Sequence, residues 1–276
     1  MPFEGWPTDW YGVPMGVADD LIYDVGFHRG EDTAFYLRKG YRVVAFEANP
    51  DLVKDGARRF HRELADGRLE IVEGAISGST EKTIAFYKHP KMSIWGTTSN
   101  EWVQRNFAEV TRIEVPVVRF VDHLLRTGTP YFVKIDIEGS DQLCLEALVA
   151  LDARPALVSI ESTKTDFGRL RAEFDMLERL GFDRFAAVQQ AWIEGSVINT
   201  RTREGEPFSY RFEREASGGF GEDIDQWMSR VKVERRYRAI FCGYRLFGDG
   251  SRLTRLTQMR ALSKLTPGWY DTHAAR

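Results

Sequence analysis

Residues 21–50 read LIYDVGFHRGEDTAFYLRKGYRVVAFEANP, and no other stretch constrains the fold as much. An apolar run ends in Asp24-Val25-Gly26. A loop follows and closes at Gly30. A helix-like segment then leads to a second apolar run over 42–46, which ends in Glu47. Two short apolar runs joined by a glycine-closed loop and a helix predict a strand–helix–strand unit with parallel strands.

The rhythm continues along the chain. Further apolar runs fall at 69–72, 131–135 and 157–160, with helical patterns at 31–39, 51–65, 119–127, 140–151 and 167–180. Alternating strands and helices predict a parallel sheet with helices on both faces. The strand centres are continuously apolar, as a doubly covered sheet requires. Three stretches break the pattern. Residues 1–20 read as an irregular aromatic arm. Residues 81–117 hold strand-like pieces at 83–87 and 112–118 around KHPKMSIWGTTSN. Residues 191–237 are polar and Gly-rich, the composition of a lid or binding loop. Residues 237–247 read as a late strand, with 182–189 as its antiparallel neighbour. The expected organisation is the arm over 1–20, one domain over 21–250 with insertions at about 81–117 and 191–237, and a C-terminal helix and tail over 251–276.

Composition excludes several classes. The net charge of −3 argues against a general nucleic-acid binder. The first residues lack the basic and apolar regions of a signal peptide, and no run is long enough for a transmembrane helix. Cys144 and Cys242 lie far apart in apolar surroundings and read as reduced core residues of a cytoplasmic protein.

The glycine loop poses a choice between two adenosine ligands. Gly26 and Gly30 match only part of the G-x-G-x-x-G dinucleotide fingerprint, and the glycine that admits a pyrophosphate has no counterpart. S-adenosylmethionine has no pyrophosphate. Its methionyl part needs close backbone approach, which Gly26 permits. Asp24 would meet its ammonium group directly or through water, and the helix starting near Gly30 would offer N–H groups to its carboxylate. Glu47 stands 23 residues after Asp24, the spacing of an acid that accepts from both ribose hydroxyls. Asn49 and Pro50 turn the chain into the next helix. Small residues in Glu73-Gly74-Ala75-Ile76-Ser77 would let an adenine ring lie against backbone. The segment YFVKIDIEG carries Lys134, Asp136 and Glu138 at alternating positions, on one face if the strand stays extended. Charges there are costly unless paired or used.

These motifs, with EGAISG and VRFVDHLL, resemble the FkbM-type methyltransferases over roughly residues 21–190 in order as well as spacing. The resemblance implies an α/β, class I methyltransferase (Rossmann-like) fold, with a seven-stranded mostly parallel sheet whose last strand is antiparallel. It implies S-adenosyl-L-methionine as cofactor and O-methylation of a sugar or natural-product hydroxyl. Asp24, Gly26, Phe27 and Gly30 fall on the cofactor loop, and Glu47, Ala48 and Asn49 on the ribose side. Ala75 and Ile76 fall on the adenine side. Lys134, Asp136, Glu138 and Gly139 fall on the motif near the methyl acceptor. The family often has Ala-Asn where this chain has Phe27-His28, and the bulk here is expected to alter contacts to the methionyl end.

Deprotonating an alcohol needs a base, for which Asp136 is the first candidate and Glu138 the second. Lys134 would hold either carboxylate or stabilise an oxyanion. His28 is a further catalytic candidate beside the methyl group. The C-terminal string GWYDTH reads as a disordered tail that, if folded back, would add Asp271 and His273 to the site. His61, His89 and His123 read as surface or packing residues. No tight ligand spacing supports a metal. Trp6, Trp10, Tyr11, Trp95 and Trp192 are candidates to stack on a sugar or to clamp loops. Residues 230–264 carry ten Lys or Arg against two acids, which suits a phosphate-bearing acceptor, while Leu253, Leu256, Leu262 and Leu265 suit an amphipathic helix. The expected partner is a small-molecule hydroxyl acceptor, with oligomeric state open. The rival readings are an NAD-dependent oxidoreductase and a non-catalytic S-adenosylmethionine-binding protein.

Overall fold

The computed structural model describes residues 16–88, 96–97, 110–137, 140–163, 166–247 and 269–276. By their contacts the residues form two compact units, 1–156 with 199–208, and 157–198 with 209–276.

The first unit opens with β1 (Val17–Val25), α1 (Glu31–Arg38), β2 (Arg42–Glu47), α2 (Pro50–Arg59), α3 (His61–Ala65) and β3 (Leu69–Glu73). Leu21 through Val25 are wholly or almost wholly buried, which explains why the first run is apolar but for Asp24. Helix α1 starts at Gly30, whose φ of 79° is the left-handed conformation that glycine adopts without steric cost. Helix α2 is capped by Asn49, whose side chain accepts from Asp51 N at 3.1 Å, with Pro50 pre-set for its first turn.

The insertion forms a second sheet. Strands β4 (Ala75–Ile76), β5 (Thr83–Lys88), β6 (Gly96–Thr97) and β7 (Thr111–Val118) order as β4-β7-β5-β6. The unit continues through α4 (Phe120–Thr127), β8 (Thr129–Ile135) and α5 (Asp141–Ala150).

In the second unit are β9 (Leu157–Ser162), α6 (Phe167–Arg179) and β10 (Arg184–Gln189). A hairpin of β11 (Val197–Arg201) and β12 (Pro207–Arg211) follows. Its tip, grouped with the first unit, packs on the end of α1: Lys39 Nζ donates to Thr200 Oγ1 at 3.1 Å, and Arg203 N donates to Lys39 O at 2.8 Å. The chain ends in α7 (Arg230–Phe247) and β13 (Tyr270–Ala275). The main sheet has seven strands in the order β10-β13-β9-β8-β1-β2-β3, six parallel and β13 antiparallel to its neighbours β9 and β10, as the expected fold class requires.

Two sequence readings of the C-terminal region are corrected. Residues 237–247 form the second half of helix α7, not a strand. Their aromatic and β-branched content favours strand, but Val233, Tyr237 and Ile240 are buried at a spacing of four and three, the period of a helix face. Arg230 anchors the start of α7 on α6, its guanidinium meeting Asp175 at 2.6 Å and Glu178 at 2.6 Å, besides Glu234 at 2.9 Å. That cation is engaged internally, not waiting for a phosphate. The antiparallel strand is the tail read as disordered: Asp271 to Ala275 are buried between β9 and β10. Buried hydroxyls make the polar strand tolerable. Thr272 Oγ1 lies 2.6 Å from Tyr237 OH and 2.5 Å from Ser162 Oγ.

Smaller differences follow. Strand β1 starts at Val17, inside the expected arm, while Trp6, Trp10, Tyr11, Trp95, His89 and the four leucines of 253–265 lie outside the described residues. Cys144 is buried as expected, but Cys242 is exposed on α7. His123 packs edge-on to Phe46, with ring centroids 5.1 Å apart, and His61 is exposed.

Candidate active site

The carboxyl ends of β1, β2 and β8 bring the first unit's chemistry together. Parallel register sets Asp24 opposite Lys134, and Val25 opposite Ile135. Lys134 is 4% exposed. Its ammonium lies 3.0 Å from Asp32, 3.6 Å from Asp24 and 3.6 Å from Asp136, and it donates to Gly26 O at 3.3 Å. Burial opposes its charge, yet the carboxylates of Asp32, Asp24 and Asp136 outweigh that and hold its pKa well above the usual lysine value. Burial pushes the Asp24 carboxyl above the usual range against the pull of Lys134.

The sequence placed Asp24 and Asp136 here for different tasks, and their burial separates them. Asp24 is 0% exposed, and its Oδ2 accepts from Thr33 Oγ1 at 2.6 Å. Its Oδ1 has no hydrogen-bond partner among the described residues. The Asp136 side chain is 40% exposed and faces Lys134 from just beyond β8. Lys134 and Asp136 therefore share a face, as their period-two spacing predicts. Glu138 and Gly139 lie outside the described residues. Ile137 N donates to Asp141 Oδ1 at 3.0 Å, which pins the turn after the strand.

The loop between Asp24 and Gly30 is built on close approaches. Gly26 has φ 98°, and a Cβ there would sit 1.9 Å from Asp136 O. Both Gly26 N and Phe27 N donate to Phe46 O, at 3.1 and 3.0 Å. Phe27 is 1% exposed, with its ring edge-on to Phe60 at 6.0 Å. A Cβ on Gly56 would meet the Phe27 ring at 2.5 Å. The bulky loop residue is thus a core residue, its ring packed against Phe60 and Gly56. His28 sits at φ 52° with Nδ1 3.2 Å from Glu31 Oε1. The first turn of α1 carries two buried acids, Glu31 and Asp32, which offset the helix's positive end and weigh against a cofactor carboxylate there.

Glu47 is 9% exposed and accepts from two backbone donors, His28 N at 2.8 Å and Asn49 N at 2.7 Å. It holds the glycine loop to the start of α2. Burial raises its pKa to about 7, against those two hydrogen bonds. Ala75 and Ile76 are buried in β4, and Ala48 packs on the cluster of Ala75, Phe86 and Val115. What these residues can offer a flat ring is backbone.

Asp271 and His273 belong to the second unit. His273 is buried in β13 with Nε2 3.4 Å from Ser159 Oγ, and burial lowers its pKa to about 4, so it is neutral at pH 7. The sequence reading missed Asp32, Thr33 and Asp141. Asp32 left one signal: an acid in the first turn of a helix whose start is needed for the loop.

Residues 24–184, more than half of the chain, match the family model described as the methyltransferase FkbM domain. No curated protein matches the chain. Among solved structures it is similar to precorrin-6y C5,15-methyltransferase from Geobacter metallireducens GS-15, with 15% identity over 74% of this chain and 79% of that chain and a TM-score of 0.35. It is similar also to the O-methyltransferase TomG from Streptomyces achromogenes, involved in tomaymycin synthesis and solved in complex with SAM, with 15% identity over 69% and 71% and a TM-score of 0.33. The family match over residues 24–184 is what identifies the chain's family.

Proposed function

The chain belongs to the FkbM methyltransferase family, and from that premise we propose that it methylates a hydroxyl of a saccharide or secondary metabolite. Its cofactor is S-adenosyl-L-methionine. When bound, the cofactor supplies an electrophilic methyl group on a sulfonium. The residues fit such a group. Gly26 presents backbone where a side chain has no room, and Glu47 keeps acceptor capacity for ribose hydroxyls beyond its two backbone donors.

The observation that carries the reading is Asp136 beside Lys134. An alcohol must lose its proton as the new C–O bond forms. Of the three carboxylates within 3.6 Å of Lys134, Asp136 is the exposed one, so it takes the proton. Asp24 and Asp32 stay beneath as fixed counter-charges. Lys134 orients Asp136 rather than meeting the acceptor, since it is almost wholly buried. The side chain of His28 is engaged by Glu31, which makes it a secondary candidate.

Among the described residues of the second unit, two indoles are exposed. Trp192 is 68% exposed with its N–H held by Gln189 Oε1 at 2.7 Å, and Trp269 is 45% exposed. We place the reaction in the cytoplasm, where two unpaired cysteines remain reduced. No described helix is long and apolar enough to cross a membrane.

The first test is calorimetric titration with S-adenosylhomocysteine and, in parallel, NAD. Micromolar binding of the first alone is expected; binding of NAD alone overturns the reading. Transfer of a labelled methyl group to a panel of saccharides and hydroxylated aglycones then tests the acceptor class. Labelling of amines or thiols in place of hydroxyls would refute O-methylation. Asp136→Asn is expected to keep cofactor affinity and lose transfer by about a hundredfold or more.

A further inference from the structure

Lys134 is the point where four pieces of the first unit meet: the end of β1 through Asp24, the glycine loop through Gly26 O, the first turn of α1 through Asp32, and the residue after β8 through Asp136. A lysine ammonium has three protons to donate. Asp32 holds the closest place, at 3.0 Å, and Gly26 O the next, at 3.3 Å, while Asp24 and Asp136 both stand at 3.6 Å. Asp32 and Lys134 have side chains only 3% and 5% exposed, so water competes little for their pairing. The acid also sits in the first turn of α1, where the helix dipole favours it.

From this geometry we infer that Asp32 is a positioning residue of the cofactor site, acting through Lys134. Its carboxylate fixes the ammonium at one point. From there Lys134 reaches the Gly26 carbonyl, whose left-handed backbone forms the cradle, and stands off Asp136 by a set distance. Without Asp32 the ammonium is free to swing onto Asp24, whose Oδ1 has no hydrogen-bond partner among the described residues, or onto Asp136. Either move takes the donor from the Gly26 carbonyl and shifts the carboxylate proposed as the base. The value of Asp32 to catalysis rests on the methyltransferase reading; its hold on Lys134 does not.

A double-substitution cycle tests the inference, with S-adenosylhomocysteine as probe. Asp32→Asn is expected to weaken its binding by about tenfold in the wild-type background and by less than about twofold in the Lys134→Met background. Asp32→Glu should restore most of the loss. Equal losses in both backgrounds, or a lowered melting temperature with unchanged affinity, would overturn the inference. A ligand-free readout separates it from the methyltransferase reading. The Lys134 ammonium should give a slowly exchanging signal in 1H–15N spectra, lost in Asp32→Asn and regained in Asp32→Glu. If that signal survives Asp32→Asn, Asp32 does not position the lysine. If it is lost and regained while wild-type protein binds no S-adenosylhomocysteine, the positioning stands and the methyltransferase reading fails.

Discussion

Gly26 shows how one residue type can decide a site. A Cβ there would meet Asp136 O at 1.9 Å, and the positive φ of 98° excludes most side chains independently. Gly26→Ala is therefore expected to abolish measurable S-adenosylhomocysteine binding in calorimetry; wild-type affinity would mean that the loop and the turn after β8 can separate at no cost. Glu47 makes a prediction in pH. Its folded pKa is raised from 4.5 to about 7 by burial. In the free protein this makes stability fall as pH rises from 4.5 to 7, because only the unfolded state readily gives up the proton there. Ligand hydroxyls donating to Glu47 favour its ionised form, so binding at pH 6 releases protons and affinity rises up to about pH 7.5. Calorimetry at pH 6 in two buffers of different ionisation enthalpy should show the release, and Glu47→Gln should remove it. The close backbone approach at Gly26 and the acid that closes β2 were readable from residue type and spacing. The position of Asp24 was not: the same residue at the end of β1 can face a ligand or lie beneath the surface, and only the packing of Thr33 and Lys134 against it decides which.

At the scale of elements, the most instructive case is β13. Six residues lie between β9 and β10 and pair with both, so they are interior to the sheet although last in the chain. Removing 269–276 leaves two strands without their shared partner, and buried backbone groups left unpaired are costly. Loss of cooperative unfolding in calorimetric scans is expected; a truncated protein with wild-type melting would contradict the pairing. Thr272→Val is the milder probe. It removes one hydrogen-bond partner from each of the hydroxyls of Ser162 and Tyr237, at a cost of about 1 kcal/mol, read from the denaturation midpoint. A strand this polar has no hydrophobic signature, because its burial is made tolerable by hydroxyls that come from elsewhere in the chain. Helix α7 hid for the opposite reason: its residues favour strand, and only the spacing of Val233, Tyr237 and Ile240 betrays the helix.

For the molecule as a whole, the cofactor should act as a stabiliser. A ligand that binds only the folded state at a hundred times its Kd contributes about 2.7 kcal/mol. For a chain of this size that corresponds to a rise in Tm of roughly 5–10 °C. S-adenosylhomocysteine should produce such a shift in a thermal scan and NAD none. A shift by NAD alone would count against the whole assignment. The net charge of −3 leads to the further expectation of no retention on nucleic acid at physiological salt.

The sequence by itself determined the alternation of strands and helices, the glycine loop, the acid closing β2 and the charged end of β8. Each of these is local: a period, a backbone conformation or a spacing within a few residues, and local physics leaves its mark on residue order. Only the tertiary structure decided that Asp32 holds Lys134, that Phe27 turns into the core over Gly56, and that the C-terminal string is an interior strand next to the sheet edge. Those outcomes depend on which distant groups come within a few ångströms and on whether water is excluded between them. Neither is encoded by neighbours in the chain.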